Sequence, residues 1–211
     1  NDTFDTADTT DLDTGLASRQ AAGLLTSTYT EQNDANSSIE GNKLRRGAST
    51  DTATLDENFA SYIGSKPFTW SFDFFAAETN ISWTAIYVKN ATDDNRGKSP
   101  MQVYFRGNNS ASSLMSLSYG TGSAVTALAI NSNTVAAALG PPFSIQDQHN
   151  CAFEVSPTDA GSGTYDFLVD GVAVAENLPY TFSENTERFI EFQALALEAR
   201  FDNLDITVVG E

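Results

Sequence analysis

The stretch Phe68-Thr69-Trp70-Ser71-Phe72-Asp73-Phe74 alternates without a break between aromatic and polar residues. Successive side chains of a β-strand point to opposite faces, so Phe68, Trp70, Phe72 and Phe74 share one face and Thr69, Ser71 and Asp73 the other. A wholly aromatic face needs a second layer to cover it, while the polar face suits water. That is the pattern of an antiparallel sheet packed on one side, and it assigns Trp70 to the core.

The same kind of segment recurs on both sides. Trp83-Thr-Ala-Ile-Tyr-Val88 is a β-branched and aromatic run, with Trp83 and Tyr87 free to serve either core or surface. Met101-Gln-Val-Tyr-Phe-Arg106 alternates and stops at the turn signal Gly107-Asn108-Asn109. Leu114–Tyr119 follows and stops at Gly120-Thr121-Gly122, and Cys151–Val155 precedes a loop rich in Pro, Asp, Gly and Ser. Tyr165–Val169 and Val172–Val174 flank Asp170-Gly171, a pair that supplies the positive φ of a type I′ hairpin turn. Leu204–Val208 is the last strand. Its apolar residues are out of phase with Leu195, Leu197, Ala199 and Phe201, so a bulge or bend is expected at Asp202-Asn203.

Helical signal is scarce. Ala124–Leu139 reads as a strand and loop, with a short helix as the second choice, and one helical turn fits around Leu55–Phe59. Many short strands with regular turn signals predict a single all-β antiparallel sandwich over residues 1–211.

Composition narrows the function. Eleven Lys and Arg face 28 Asp and Glu, a formal charge of −17. Such a chain repels phosphate backbones and anionic lipid, which excludes nucleic acid and direct membrane insertion from the expected partners. The single Cys151 rules out an internal disulfide and a cysteine zinc cluster, and it reads as a small buried hydrophobe. Among metals the oxygen-rich composition suits calcium. Five aspartates (Asp2, Asp5, Asp8, Asp11 and Asp13) crowd the first residues and repel unless solvent or a cation relieves them. Asp11-Leu12-Asp13-Thr14-Gly15 half-matches an EF-hand loop, but its closing Glu would fall on Ala22, so that reading fails. Acidity, few lysines and abundant Thr, Ser and Asn point to a secreted, periplasmic or cell-surface protein, and a start at Asn1 leaves room for a removed export signal.

In order along the chain, Asp2-Thr-Phe-Asp5, Ile39-Glu-Gly-Asn-Lys-Leu44, Phe68–Phe74, the Tyr165–Val174 hairpin and Phe201-Asp-Asn-Leu-Asp-Ile206 together resemble the concanavalin A-like lectin/glucanase superfamily. The resemblance covers nearly the whole chain. It implies a jelly roll of two stacked antiparallel sheets that binds carbohydrate on a concave face, with Ile39–Leu44 as an early strand. It also implies a structural calcium ion at the positions of Asp5, Gly41 and Asp202, fastening the termini together.

The glycosidases of that superfamily carry Glu-x-Asp-x-x-Glu on one strand, with the two Glu roughly 5 Å apart for retaining hydrolysis. No such motif occurs here. Glu187 and Glu191 have the spacing, but they flank Arg188 in what reads as a solvated strand edge. Jelly-roll polysaccharide lyases instead use a Tyr/His pair with Arg and Gln neutralising a uronate carboxyl. Gln102, Tyr104 and Arg106 share one strand face, and Tyr104, Arg106 and His149 are the candidates for that chemistry. His149 also shares parity with Cys151, Phe153 and Val155, which turns it coreward. Binding without catalysis asks only for aromatic platforms and planar polar groups, which Gln102, Tyr104, Arg106, Trp83 and Tyr87 supply. The expectation is a carbohydrate-binding or adhesive lectin-like domain whose partner is a polysaccharide or glycan. A polysaccharide-degrading enzyme, lyase before hydrolase, and a laminin-G-like spacer of a larger surface protein stand as the alternatives.

Overall fold

The computed structural model describes residues 1–20, 27–32, 36–46, 51–60, 64–76, 83–90, 96–106, 114–122, 124–140, 143–183, 187–195 and 198–209. The turn signal at 107–109 lies outside them, as does Leu197. The described chain folds into two sheets. The front sheet runs β1 (Tyr29–Glu31), β4 (Thr52–Leu55), β13 (Phe189–Leu195), β6 (Trp83–Lys89), β7 (Gln102–Arg106) and β8 (Met115–Thr121), with β9 (Ala124–Ile130) on β8. The back sheet runs β12 (Val172–Thr181), β11 (Ser162–Val169), β10 (His149–Pro157), β5 (Phe68–Ala76), β14 (Ala199–Val208), β3 (Leu44–Arg46) and β2 (Ser37–Ile39). The two sheets meet at one edge through two parallel pairs, Tyr180 with Gly120 and Thr181 with Thr121. Every other strand pairing is antiparallel.

The aromatic alternation of β5 places the core. Phe68, Trp70, Phe72 and Phe74 are buried, and the polar residues between them are half-exposed. Phe74 stacks on Phe105 of the front sheet at 3.8 Å between ring centroids, and Phe192 of β13 meets Phe201 of β14 at 5.0 Å. The Trp70 indole N–H, which a buried tryptophan must satisfy, donates to the Met101 sulfur at 3.3 Å. The Tyr165 hydroxyl crosses the sandwich to the Ser118 carbonyl at 2.5 Å. Burial holds the Cys151 thiol well above its ordinary pKa, as a small hydrophobe demands.

Two expected irregularities are present. Asp170 (φ 50°) and Gly171 (φ 77°) form the hairpin turn between β11 and β12. In β14 the register with β5 slips between Asp202 and Asp205, and Asn203 takes φ 48°. The extra residue turns Leu204 inward, where its backbone bridges Asp2 through two hydrogen bonds of 2.7 and 2.9 Å.

Four readings change. Residues 132–139 form helix α2, after the four-residue α1 (Leu16–Arg19), so the second choice holds for that half. Its N-cap is Asn131, whose side-chain oxygen accepts from the Thr134 N–H at 2.9 Å. The helical turn expected around Leu55–Phe59 does not form there: Leu55 closes strand β4, which pairs with β1 and β13, and residues 56–58 are irregular. Ile39–Leu44 is a hairpin between β2 and β3 rather than one strand, since Gly41 and Asn42 both take φ 58°. Finally, β13 is not an edge, for it lies between β4 and β6.

The aspartate-rich start is stitched into this frame instead of repelling itself apart. Asp2 is buried and accepts from Gln20 Nε2 at 2.7 Å and Tyr29 Oη at 3.0 Å, with Arg19 Nε 3.1 Å away. Asp11 accepts from the Asp13 N–H, Asp13 from the Tyr29 N–H, and Asp8 from the Gly41 N–H.

Candidate functional site

The parity of three neighbouring strands builds one polar and aromatic surface on the front sheet, on the side away from the core. In β6 the residues Thr84, Ile86 and Val88 face inward, so Trp83, Ala85, Tyr87 and Lys89 face outward. In β7 Val103 and Phe105 face inward, leaving Gln102, Tyr104 and Arg106 outward. Antiparallel register sets Trp83 opposite Arg106, Ala85 opposite Tyr104 and Tyr87 opposite Gln102. All five residues expected to touch a ligand therefore lie on one surface.

They divide into a rim and a floor. Trp83 and Arg106 are half-exposed at the rim, whereas Tyr104, Gln102 and Tyr87 are 8 %, 5 % and 1 % exposed in the floor. The Trp83 and Tyr104 rings stack at 5.1 Å and 29°. The Arg106 guanidinium lies 5.0 Å from the Tyr104 centroid. Arg96, reaching in from the connection between β6 and β7, lies 4.4 Å from the Trp83 centroid and 5.0 Å from that of Tyr104. Burial raises the Tyr104 phenol above its ordinary pKa, and the positive charges of Arg106 and Arg96 oppose that rise. Gln102 donates to Ser118 Oγ at 2.7 Å, while its carbonyl oxygen and the Arg106 Nε are buried without a partner.

Beside this platform stands a buried ion network. Glu191 projects outward from β13 and is only 3 % exposed. It accepts from the Tyr87 hydroxyl, from Thr54 Oγ1 at 2.6 Å and from Lys89 Nζ at 2.5 Å. Tyr87 is thus a floor residue that holds a carboxylate, and Glu191 is a satisfied buried charge rather than a solvated edge residue. Its bonded partners are a phenol, a hydroxyl and an ammonium, so it has no carboxylate partner of the glycosidase kind in that network.

His149 does not join the platform. It belongs to β10 in the back sheet, opposite Phe74, whose ring stacks on the inner-facing Phe105. Nδ1 is 2.7 Å from Asp170 and Nε2 is 2.9 Å from the Ser144 carbonyl, and the imidazole stacks on Phe143 at 4.3 Å. Both ring nitrogens are engaged and the aromatic core separates the imidazole from Tyr104.

The positions expected for calcium meet at one corner through their neighbours. Asp2 bridges Leu204, Gly41 is held by Asp8 at 2.8 Å, and Lys43 Nζ lies 3.1 Å from Asp202. Partial burial raises the Asp202 pKa, against the lowering effect of Lys43. Asp5 is exposed. Among the described residues no group of three or more His, Cys, Asp or Glu is placed to hold a metal ion. With an ammonium on Asp202, the donors as arranged do not form a calcium cage.

Sequence reasoning missed Arg96 and the role of Glu191. Arg96 comes from a polar connection with no periodicity to read, so only the fold brings it to the rings. Glu191 had a signal, since it alternates with Ile190 and Phe192 in a strand that the flanking charges made look like an edge.

No family model and no curated protein matches this chain. Solved structures do. A β-glucanase of Bacillus licheniformis superposes with a TM-score of 0.56 at 11 % identity, over 85 % of this chain and 91 % of that one. An endo-β-1,4-glucuronan lyase of the fungus Trichoderma reesei gives 0.53 at 13 % identity, over 88 % and 89 %. The carbohydrate-binding module CBM66 of Bacillus subtilis gives 0.50 at 11 % identity, over 85 % and 94 %. The fold is the concanavalin A-like jelly roll, as the sequence resemblance implied. At such identities the likeness speaks for the fold, and function has to be read from the site.

Proposed function

We propose that this protein is an exported carbohydrate-binding domain, and that the outward surface of β6 and β7 is where it holds a polysaccharide. The observation that carries the reading is the stacked Trp83/Tyr104 pair, with planar Arg106 beside it and Gln102 in the floor. Aromatic rings offer flat apolar faces to the C–H faces of sugars, and guanidinium and amide groups bond their hydroxyls. The likeness in fold to a carbohydrate-binding module, a β-glucanase and a glucuronan lyase agrees with a glycan partner. Export is supported by the composition, and service within a larger surface protein fits the same site.

Migration through native gels cast with a panel of polysaccharides tests the proposal. Retardation by at least one polymer, lost in Tyr104→Ala, is the expected result. No retardation by any polymer overturns it.

A lyase is the second reading, favoured by Tyr104 lying against two guanidiniums able to neutralise a carboxylate. It would need a base other than His149. New absorbance near 235 nm on incubation with polyuronates would establish it. A structural calcium is proposed only in a narrow form, as an ion that displaces Lys43 from Asp202. A chelator that leaves the melting temperature of calcium-incubated protein unchanged removes it.

A further inference from the structure

The charge of the platform is opposite to that of the molecule. The chain carries −17 overall, and at least five of its eleven Lys and Arg pair with its own acids. Arg19 meets Asp2, Lys43 meets Asp202, Arg45 and Arg200 meet Glu40 and Glu198, and Lys89 meets Glu191. Arg96 and Arg106 differ: among the described residues neither guanidinium has a carboxylate or hydrogen-bond partner, and both lie against ring faces, Arg96 on Trp83 and Tyr104 and Arg106 on Tyr104. Counting the outward residues of this surface, Lys89, Arg96 and Arg106 against Glu191, the patch is net positive by two.

In a chain with 28 acidic residues, two guanidiniums without an acidic partner among the described residues form a local positive field suited to an anionic ligand. Each is planar and lies against a ring, which leaves its N–H edges to grip a carboxylate in bidentate fashion. The unpartnered atoms are complementary in kind. The Arg106 Nε lacks an acceptor, as a carboxylate would supply, and the Gln102 carbonyl oxygen lacks a donor, as a sugar hydroxyl would supply.

We infer that the polysaccharide held on this surface is a polyuronate, with Arg96 and Arg106 gripping uronate carboxylates on either side of Tyr104. The inference rests on the glycan-binding reading and adds the substrate class and Arg96 to it. Remote acidic residues repel such a polymer, but at about 0.1 M salt screening confines that repulsion to roughly 10 Å, while direct contacts persist.

The test is affinity electrophoresis at that salt with polygalacturonate, polymannuronate and polyglucuronate. Each is run beside its carboxyl-reduced neutral counterpart, a neutral β-glucan and a sulfated galactan without uronate. The expected result is retardation by at least one polyuronate, with dissociation constants at least tenfold weaker for its reduced form and for Arg96→Gln and Arg106→Gln proteins of unchanged melting temperature. Equal retardation by a polyuronate and its reduced form overturns the carboxylate grip and leaves glycan binding standing. Preference for the sulfated galactan overturns uronate as the recognised group. Retardation by the neutral β-glucan alone overturns the inference and keeps the glycan reading, and no retardation in any lane overturns both. The ligand comparison needs no variant, so a misfolded arginine mutant cannot rescue the inference.

Discussion

The two outer surfaces of the sandwich are built from the same alternation, yet they treat charge in opposite ways. On the back sheet, Asp73 is saturated by the amides of Gln148, Asn150 and Asn203, and Arg45 and Arg200 share Glu40 and Glu198. On the front sheet, Arg96 and Arg106 rest on aromatic rings and meet no acid among the described residues. A surface whose polar groups answer one another is finished; one whose cations and buried acceptors remain unanswered is built for something else. The difference locates the site more firmly than the aromatic rings alone, since exposed rings are common.

The sharpest way to break the comparison uses adjacent residues of β7. Phe105→Ala removes a ring stacked on Phe74 in the core and is expected to cost about 3–5 kcal/mol in denaturant unfolding. Tyr104→Ala, one residue away on the other face, should abolish polysaccharide retention at a smaller cost in stability. If both variants lose mainly stability, the front surface is merely structural.

Alkali gives the next largest effect. Burial raises the phenols of Tyr104 and Tyr180, the latter from 10.0 to about 12. The unfolded chain ionises first, so this stability is whole below pH 10 and lost as pH climbs through the folded values. Tyr180→Phe should flatten that decline by about 2–3 kcal/mol in urea unfolding across pH 9–12. An unaltered slope contradicts the assignment.

On the back sheet, Asp73→Ala should cost about 1 kcal/mol by stripping the acceptor from three amides, with polysaccharide retention unchanged. Lost retention would place the site on the wrong surface. Smallest of all, Lys43→Ala removes a partly exposed ion pair and should cost ~0–1 kcal/mol. If it also makes the melting temperature rise with added calcium, the lysine stands where that ion would sit.

What could be read from the sequence followed from long, strict periodicity. The alternation at 68–74 settled the core, Asp170-Gly171 settled a hairpin, and the phase slip at 202–203 located the bulge. Gln102, Tyr104 and Arg106 were placed on one face by spacing alone, and Trp83 and Tyr87 joined them because β6 pairs with β7. What could not be read depends on other strands. The three-residue β2 and β3 are too short to show a period, and β13 looks like an edge because its outward side is polar even at the middle of a sheet. Arg96 is brought to the rings by a connection rather than a strand, so no spacing announces it. His149 carried the right chemistry, and its parity with Cys151 already turned it away from Tyr104.

The chain holds two tryptophans, one in each setting: Trp70 is wholly buried in the core, and Trp83 lies on the proposed platform. Intrinsic fluorescence titrated with the retarding polysaccharide therefore reports on the central claim directly. The account predicts a saturable change in emission for the native protein that disappears in Trp83→Phe, with the Trp70 signal unmoved. A change that persists in Trp83→Phe, or none while the polymer still retards the protein, would contradict it.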